Sequence, residues 1–98
     1  MAKKNGQPYV VVRTYSAGVH IGTLAKQSED GKRLTLTGAR RIWWWSGANT
    51  LHEIALHGVA KQSRVSEVVS EIDLTEAIEV IRCSPEGQKA LEGASWGA

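Results

Sequence analysis

Short alternating runs of apolar and polar residues dominate the first half of the chain. From Tyr9 to Thr14 the β-branched stretch Val10-Val11-Val12 reads as a strand covered on both faces. Tyr15-Ser16-Ala17-Gly18 reads as a turn, and Val19 to Ala25 alternates cleanly after it. Val19, Ile21 and Thr23 share one side there, while His20, Gly22 and Leu24 share the other. The pattern predicts a β-hairpin. A second turn over Ser28–Lys32 is signalled by Asp30-Gly31, and strands are expected over Arg33–Thr37 and Arg40–Trp45.

Helical signals come later. Thr50 with Glu53 three positions on forms a capping box, and Leu51, Ile54 and Ala55 follow at helical spacing, with Gly58 as the stop. This predicts a helix over Leu51–His57. Further on, Leu74, Ala77, Ile78 and Ile81 have the spacing of an amphipathic helix. Against that stands a weak internal repeat. Offset by 38 positions, Leu34–Gly47 lies over Ile72–Pro85, matching Leu36/Leu74, Thr37/Thr75, Ala39/Ala77 and Ser46/Ser84. The first copy carries Gly38 and three tryptophans and makes a poor helix, so both copies are read as strand, tight corner at Thr-x-Ala, strand. Ser84-Pro85-Glu86 then supplies a cap, a first-turn proline and an early acid, which start a second helix over Pro85–Glu92. We therefore expect strands within 71–83.

The whole reads as one α+β domain over residues 9–92. Antiparallel hairpins form a sheet with two short helices, open to an internal β-β-α duplication. Residues 1–8 are expected to be a flexible lead and 93–98 a tail whose Trp96 docks back. At 98 residues two independent cores do not fit, so one compact domain is expected. No apolar run reaches the roughly 20 residues that cross a bilayer, and the basic start lacks the apolar stretch of a signal peptide. A lone cysteine, Cys83, cannot form an internal disulfide and fits a reducing compartment.

The formal charge of +2 conceals a division. Residues 1–49 hold eight Lys/Arg against two acids, and residues 50–98 hold four against eight. A dipolar surface of this kind favours self-association or anion capture; met within one domain, the charges also serve as ordinary solvated faces. Net charge this small allows nucleic-acid binding without calling for it.

Three strings carry a resemblance: Gly18-Val19-His20-Ile21-Gly22-Thr23-Leu24, Ala39-Arg40-Arg41-Ile42-Trp43-Trp44-Trp45-Ser46-Gly47-Ala48, and Leu74-Thr75-Glu76-Ala77-Ile78-Glu79-Val80-Ile81. Together they resemble a family of small phage and prophage proteins of unknown function with an Arg-Ile-Trp-x-Trp-Ser-Gly-Ala motif. In such relatives the position of Trp44 is often tyrosine, so the triple tryptophan is a departure. The resemblance implies a viral origin and a host bacterial cytoplasm, and it brings no activity and no catalytic residues.

The candidate site centres on the tryptophans. Alternation places Arg40, Ile42 and Trp44 on one face and Arg41, Trp43 and Trp45 on the other. Three readings stay open: core packing of Trp43 and Trp45 with Trp44 under the tail, an oligomer interface, or stacking on a base helped by Arg40 or Arg41. The turn at Tyr15–Gly18, with His20, and the link that begins at Ser46 are small and polar and suit an anion near Arg41. His52-Glu53-Ile54-Ala55-Leu56-His57 imitates a zinc-protease helix. Its histidines, five apart, point about 140° from one another and cannot share a metal, so Glu53 and His57 are read as a surface pair. No Gly-x-Ser-x-Gly elbow or phosphate loop is present, and Cys83 is read as a buried structural thiol.

These features lead us to expect a non-enzymatic phage accessory protein, without cofactor or metal, acting as a homo-oligomeric binding module. It would bind a host component or a small anionic, nucleotide-like ligand, with counter-defence as one setting. The site would use Tyr15, His20, Arg40, Arg41, Trp43, Trp44, Trp45 and Ser46. The alternatives are a virion component (head decoration or connector) and a single-stranded nucleic-acid-binding protein. No membrane partner is expected.

Overall fold

The computed structural model describes residues 7–60 and 63–94. The predicted hairpin forms from β1 (Tyr9–Thr14) and β2 (Val19–Gln27), in a register that sets Val12 opposite His20. Next come β3 (Leu34–Trp44), α1 (Leu51–His57), the two-residue β4 (Arg64–Val65), β5 (Val69–Leu74), β6 (Ala77–Arg82) and α2 (Pro85–Glu92). The described sheet runs β4-β3-β2-β1-β6, and β5 lies on β3 beside β4. Every pairing is antiparallel. The class is α+β, as the patterning predicts. The predictions about residues 1–6 and 95–98, including the docking of Trp96, fall outside the described residues.

Strands, not a helix, form within 71–83. The corner at Thr75-Glu76 lets one stretch of chain serve two strands, since β5 bonds to β3 while β6 bonds to β1. The sheet therefore curls, and its pairing path returns from β3 through the corner to β1. Backbone bonds from Tyr15 N–H to Glu76 O and from Ala77 N–H to Lys32 O, both 3.0 Å, pin the corner to the two hairpin turns.

The first copy of the repeat behaves differently. Instead of two strands over Arg33–Thr37 and Arg40–Trp45, the chain forms the single strand β3, and Trp45 lies beyond its end. A bend at Gly38 (φ +55) takes the place of the corner, and the register with β2 shifts between Ile21 and Thr23. Pairing with β2 on one side and with β4 and β5 on the other holds this strand together where the second copy divides. Opposite the bend stands Gly22, where a Cβ would lie 3.0 Å from Thr37 O and 3.2 Å from Ala39 Cα. The two copies also pair with each other, Leu34 with Leu74 and Leu36 with Ile72.

Two cores result, one on each side of the sheet. Tyr9, Val11, Ile21, Ile42 and Val65 pack beneath Ile54, Ala55 and Leu91 of the helices. On the curled side Val10, Val12, Leu34, Leu36, Ala39, Leu74 and Ala77 form the second core. All three valines of β1 are fully buried, as the continuous apolar run predicts.

Both helix starts follow the sequence. Thr50 Oγ accepts from Glu53 N–H, and the Glu53 carboxylate reaches back to Asn49 N–H. Ser84 Oγ accepts from Gly87 N–H at 2.9 Å and donates to Leu56 O at 2.7 Å, so the cap of α2 also closes the end of α1. The helices cross at Gly87, where a Cβ would lie 2.0 Å from Ala55 O. Only a residue without a side chain lets the two backbones approach this closely. Gly87→Ala should cost about 3 kcal/mol in urea denaturation. Gly93→Ala, whose Cβ would meet Lys89 O at an ordinary 3.4 Å, should change little.

Candidate functional site

The β1–β2 turn is tied from within. Thr14 Oγ1 donates to Gly18 O and accepts from Ala17 N–H, both at 2.8 Å, and this fixes where the Ala17 carbonyl points. Two side chains converge on that carbonyl: His20 through Nε2 at 2.9 Å, and Arg41 through Nη2. His20 and Arg41 are direct cross-strand partners on β2 and β3. The Arg41 guanidinium lies over Gly18, whose missing side chain leaves room for it. Its backbone is held as well, since Arg41 O accepts from Ser66 N–H and Arg41 N–H donates to Ser66 Oγ, each at 2.8 Å.

Beside this cluster lies an open cleft of about 390 Å³. Ala17, His20, Arg40, Arg41 and Ser66 form its polar end, Ala39, Val69, Ile72 and Leu74 supply an apolar wall, and Asp73, whose carboxylate accepts from Thr35 Oγ1 at 2.7 Å, closes the far end. His20 is buried, and its pKa lies below the ordinary imidazole value, chiefly because burial disfavours the charged ring. The Ala17 carbonyl opposes that shift and the Arg41 charge adds to it. The neutral ring donates its Nε2–H to Ala17, as a carbonyl only accepts. His20 thus serves the turn as a hydrogen bonder.

The two arginines, interchangeable in the sequence, take different tasks. Arg40 points to the helix side and is 6% exposed. Its Nε donates to Ser66 O at 2.8 Å, and Nη1 donates to Leu91 O at 3.1 Å and Glu92 O at 3.4 Å. It ties the end of α2 to the loop before β5, where a cation suits the helix C-terminus, and it lies across the sheet from Arg41.

The tryptophans also separate. Trp43 and Trp44 are 57% and 48% exposed, whereas Trp45 packs against the helix-side core. Alternation alone places Trp45 on the face of Trp43. A register shift between Ile42 and Trp44 carries it to the side of Ile42 instead. The Arg64 guanidinium sits 5.4 Å from the centre of the Trp43 ring. Tyr15 is largely exposed at the hairpin turn. Ser46 stands apart from the cleft and anchors the loop after α1, its N–H donating to Ser63 Oγ and its carbonyl accepting from Ala60 N–H.

Structure thus brings His20 and Arg41 together, leaves Tyr15, Trp43 and Trp44 on the surface, and gives Arg40, Trp45 and Ser46 to the fold. The cleft wall from β5 and the role of Ser66 have no local signal, because both depend on pairings across some 30 residues of chain. The Glu53–His57 pair does not form as read. Glu53 is occupied by the capping box, and His57 Nδ1 faces Glu86 at 3.4 Å across the helix crossing. Cys83 is half-buried, and burial pushes its thiol up to about 11.

A model of the family described as a domain of unknown function (DUF6948) matches residues 7–91, a span that takes in both hairpin strands and the cleft. No curated protein and no solved structure matches the chain. No helix among the described residues is long and apolar enough to cross a membrane.

Because the folded pKa of His20 is depressed, its contribution to stability is present above about pH 6.5 and is lost as pH falls through the folded value. Thermal melts should show a smaller drop for His20→Gln than for the wild type between about pH 7.5 and about pH 5.5. Arg40→Met should lower stability by roughly 2 kcal/mol, since it removes the guanidinium donors from Ser66 O and Glu92 O and leaves Leu91 O to the backbone N–H of Ala94.

Proposed function

The chain belongs to the DUF6948 family, and we propose that it is a non-enzymatic binding module that takes a small anionic ligand at the Ala17–His20–Arg41 cleft and works as a homo-oligomer. The observation that carries this reading is the shared grip of His20 and Arg41 on one turn carbonyl at the polar end of an apolar cleft. That grip fixes the Arg41 guanidinium before any ligand arrives. Its remaining N–H donors form a planar fork suited to a phosphate or carboxylate, and the apolar wall suits a flat, nucleotide-like body. A pre-positioned arginine gains affinity because less freedom is lost on binding.

The resemblance of the Arg40–Ala48 string to small phage proteins supports an accessory role in the host cytoplasm. Cys83, with its raised pKa, lies on the helix side away from this cleft and is poorly suited to attack a ligand held there. The exposed Trp43 and Trp44, with Arg64 stacked on the former, favour single-stranded nucleic acid as a second reading. Glu67, Glu71 and Asp73, exposed on or just before the neighbouring strand, weigh against it.

Isothermal titration with nucleoside monophosphates and with inorganic phosphate tests the first reading. Binding should weaken at least about tenfold in Arg41→Ala and survive in Trp44→Ala. Equal binding by wild type and Arg41→Ala, or none to any of these probes, sinks it. Quenching of tryptophan emission by an oligonucleotide, reversed steeply by salt, supports the second reading.

A further inference from the structure

We infer that the sheet edge formed by residues 64–74 is the surface through which two copies of this chain pair, antiparallel and about a twofold axis. This rests on the homo-oligomer reading above and gives it a place on the molecule. Among the described residues β4 and β5 pair only with β3, and both lie along the same side of it. The outward edge of this stretch therefore presents backbone N–H and C=O groups that no neighbouring strand takes up. Such an edge is a template for another strand.

Its side chains are arranged for a particular partner. At the middle stand Val68, 59% exposed and outside the cleft, and Val69, 49% exposed, whose side chain also forms part of the cleft wall. The positive Arg64, half-buried beside the Trp43 ring, lies at the start of the edge, Glu67 is exposed next to the centre, and the exposed Glu71 and Asp73, the latter accepting from Thr35 Oγ1, lie toward its end. A second copy running antiparallel brings Arg64 of each chain toward Glu71 and Asp73 of the other, with the valines meeting at the centre. A parallel copy stacks acid on acid and arginine on arginine, which is unfavourable. The charge order thus favours a closed, isologous pair over an open stack. A purely basic peptide would satisfy the acids and set a like charge on Arg64.

One irregularity limits how the edge is used. Ile42 pairs with Val65 and Ala39 with Val69, so the edge spends four steps where β3 spends three. Residues 66–68 belong to no strand, and this break interrupts straight strand addition and restricts pairing to partners with a matching interruption. A second copy has one. The other open edge, on β6, carries a single exposed large apolar side chain, Ile78, and offers less area to cover.

Light scattering across a concentration series, on the full chain without ligand, tests this. The wild type should reach twice the mass of one chain. Val68→Lys, at an exposed position outside the ligand cleft, should weaken the pair at least about tenfold with an unchanged circular dichroism spectrum. Arg64→Glu and Glu71→Lys should each weaken it, and the double variant should restore it, an outcome that a merely structural role for either residue does not produce. Ile78→Lys should leave the mass unaltered. A chain that stays monomeric overturns both this inference and the homo-oligomer reading. A dimer insensitive to Val68→Lys, or lost in Ile78→Lys, overturns the edge alone. Neither result touches the ligand cleft, which is read through Arg41.

Discussion

Three consecutive valines with no exposed surface set the terms for this fold. A strand with one wet face alternates; β1 does not, so both faces of the sheet at Val10-Val11-Val12 must be covered. Burying each valine contributes on the order of 1.5–3 kcal/mol, and in a chain this short no separate third layer is available for the second face. The helices cover one side. The other is covered by the sheet itself, which curls at the Thr75-Glu76 corner until β6 reaches β1. Corner, bend and cleft follow from that need.

The cleft is a by-product of the curl. As β5 comes to lie along β3, its apolar side chains approach the ends of His20 and Arg41, which the hairpin register has already set side by side. Arg41 and Arg40, adjacent in the chain, are sent to opposite sides of the sheet by the pleat, and their surroundings differ accordingly. One is enclosed and spends its donors on the end of α2, while the other lies at the surface with only part of its fork engaged. A period of two along one strand thus separates a residue that holds the fold from one placed to meet a ligand.

Much of the architecture could be read in advance because its signals are local. The hairpin follows from alternation around a glycine turn, and the two helices from Thr50–Glu53 and Ser84-Pro85. The repeat correctly overruled helical periodicity at 72–81, although Leu74, Ala77, Ile78 and Ile81 match a helix by spacing. What escaped were consequences of pairing between distant segments. Whether Leu34–Trp44 divides depends on β2 and β5 holding it from both sides, and the face of Trp45 depends on a register shift against a two-residue strand. In the candidate site, the sequence offered both arginines without a means of choosing, because the choice is made by Leu91 O and Glu92 O some fifty residues away.

That same span has a temporal meaning. β1 finds its second neighbour only in β6, and the Arg40 charge finds its acceptors only at the last turn of α2. Loop-closure entropy must be met before these contacts repay it. The early hairpin can flicker into shape as it emerges during synthesis, yet the cover over its valines is complete only when β5 and β6 have closed one face and the last turn of α2 the other. Assembly is therefore a late, all-at-once event, and a nascent chain halted at β3 displays the sticky ribbon that chaperones recognise.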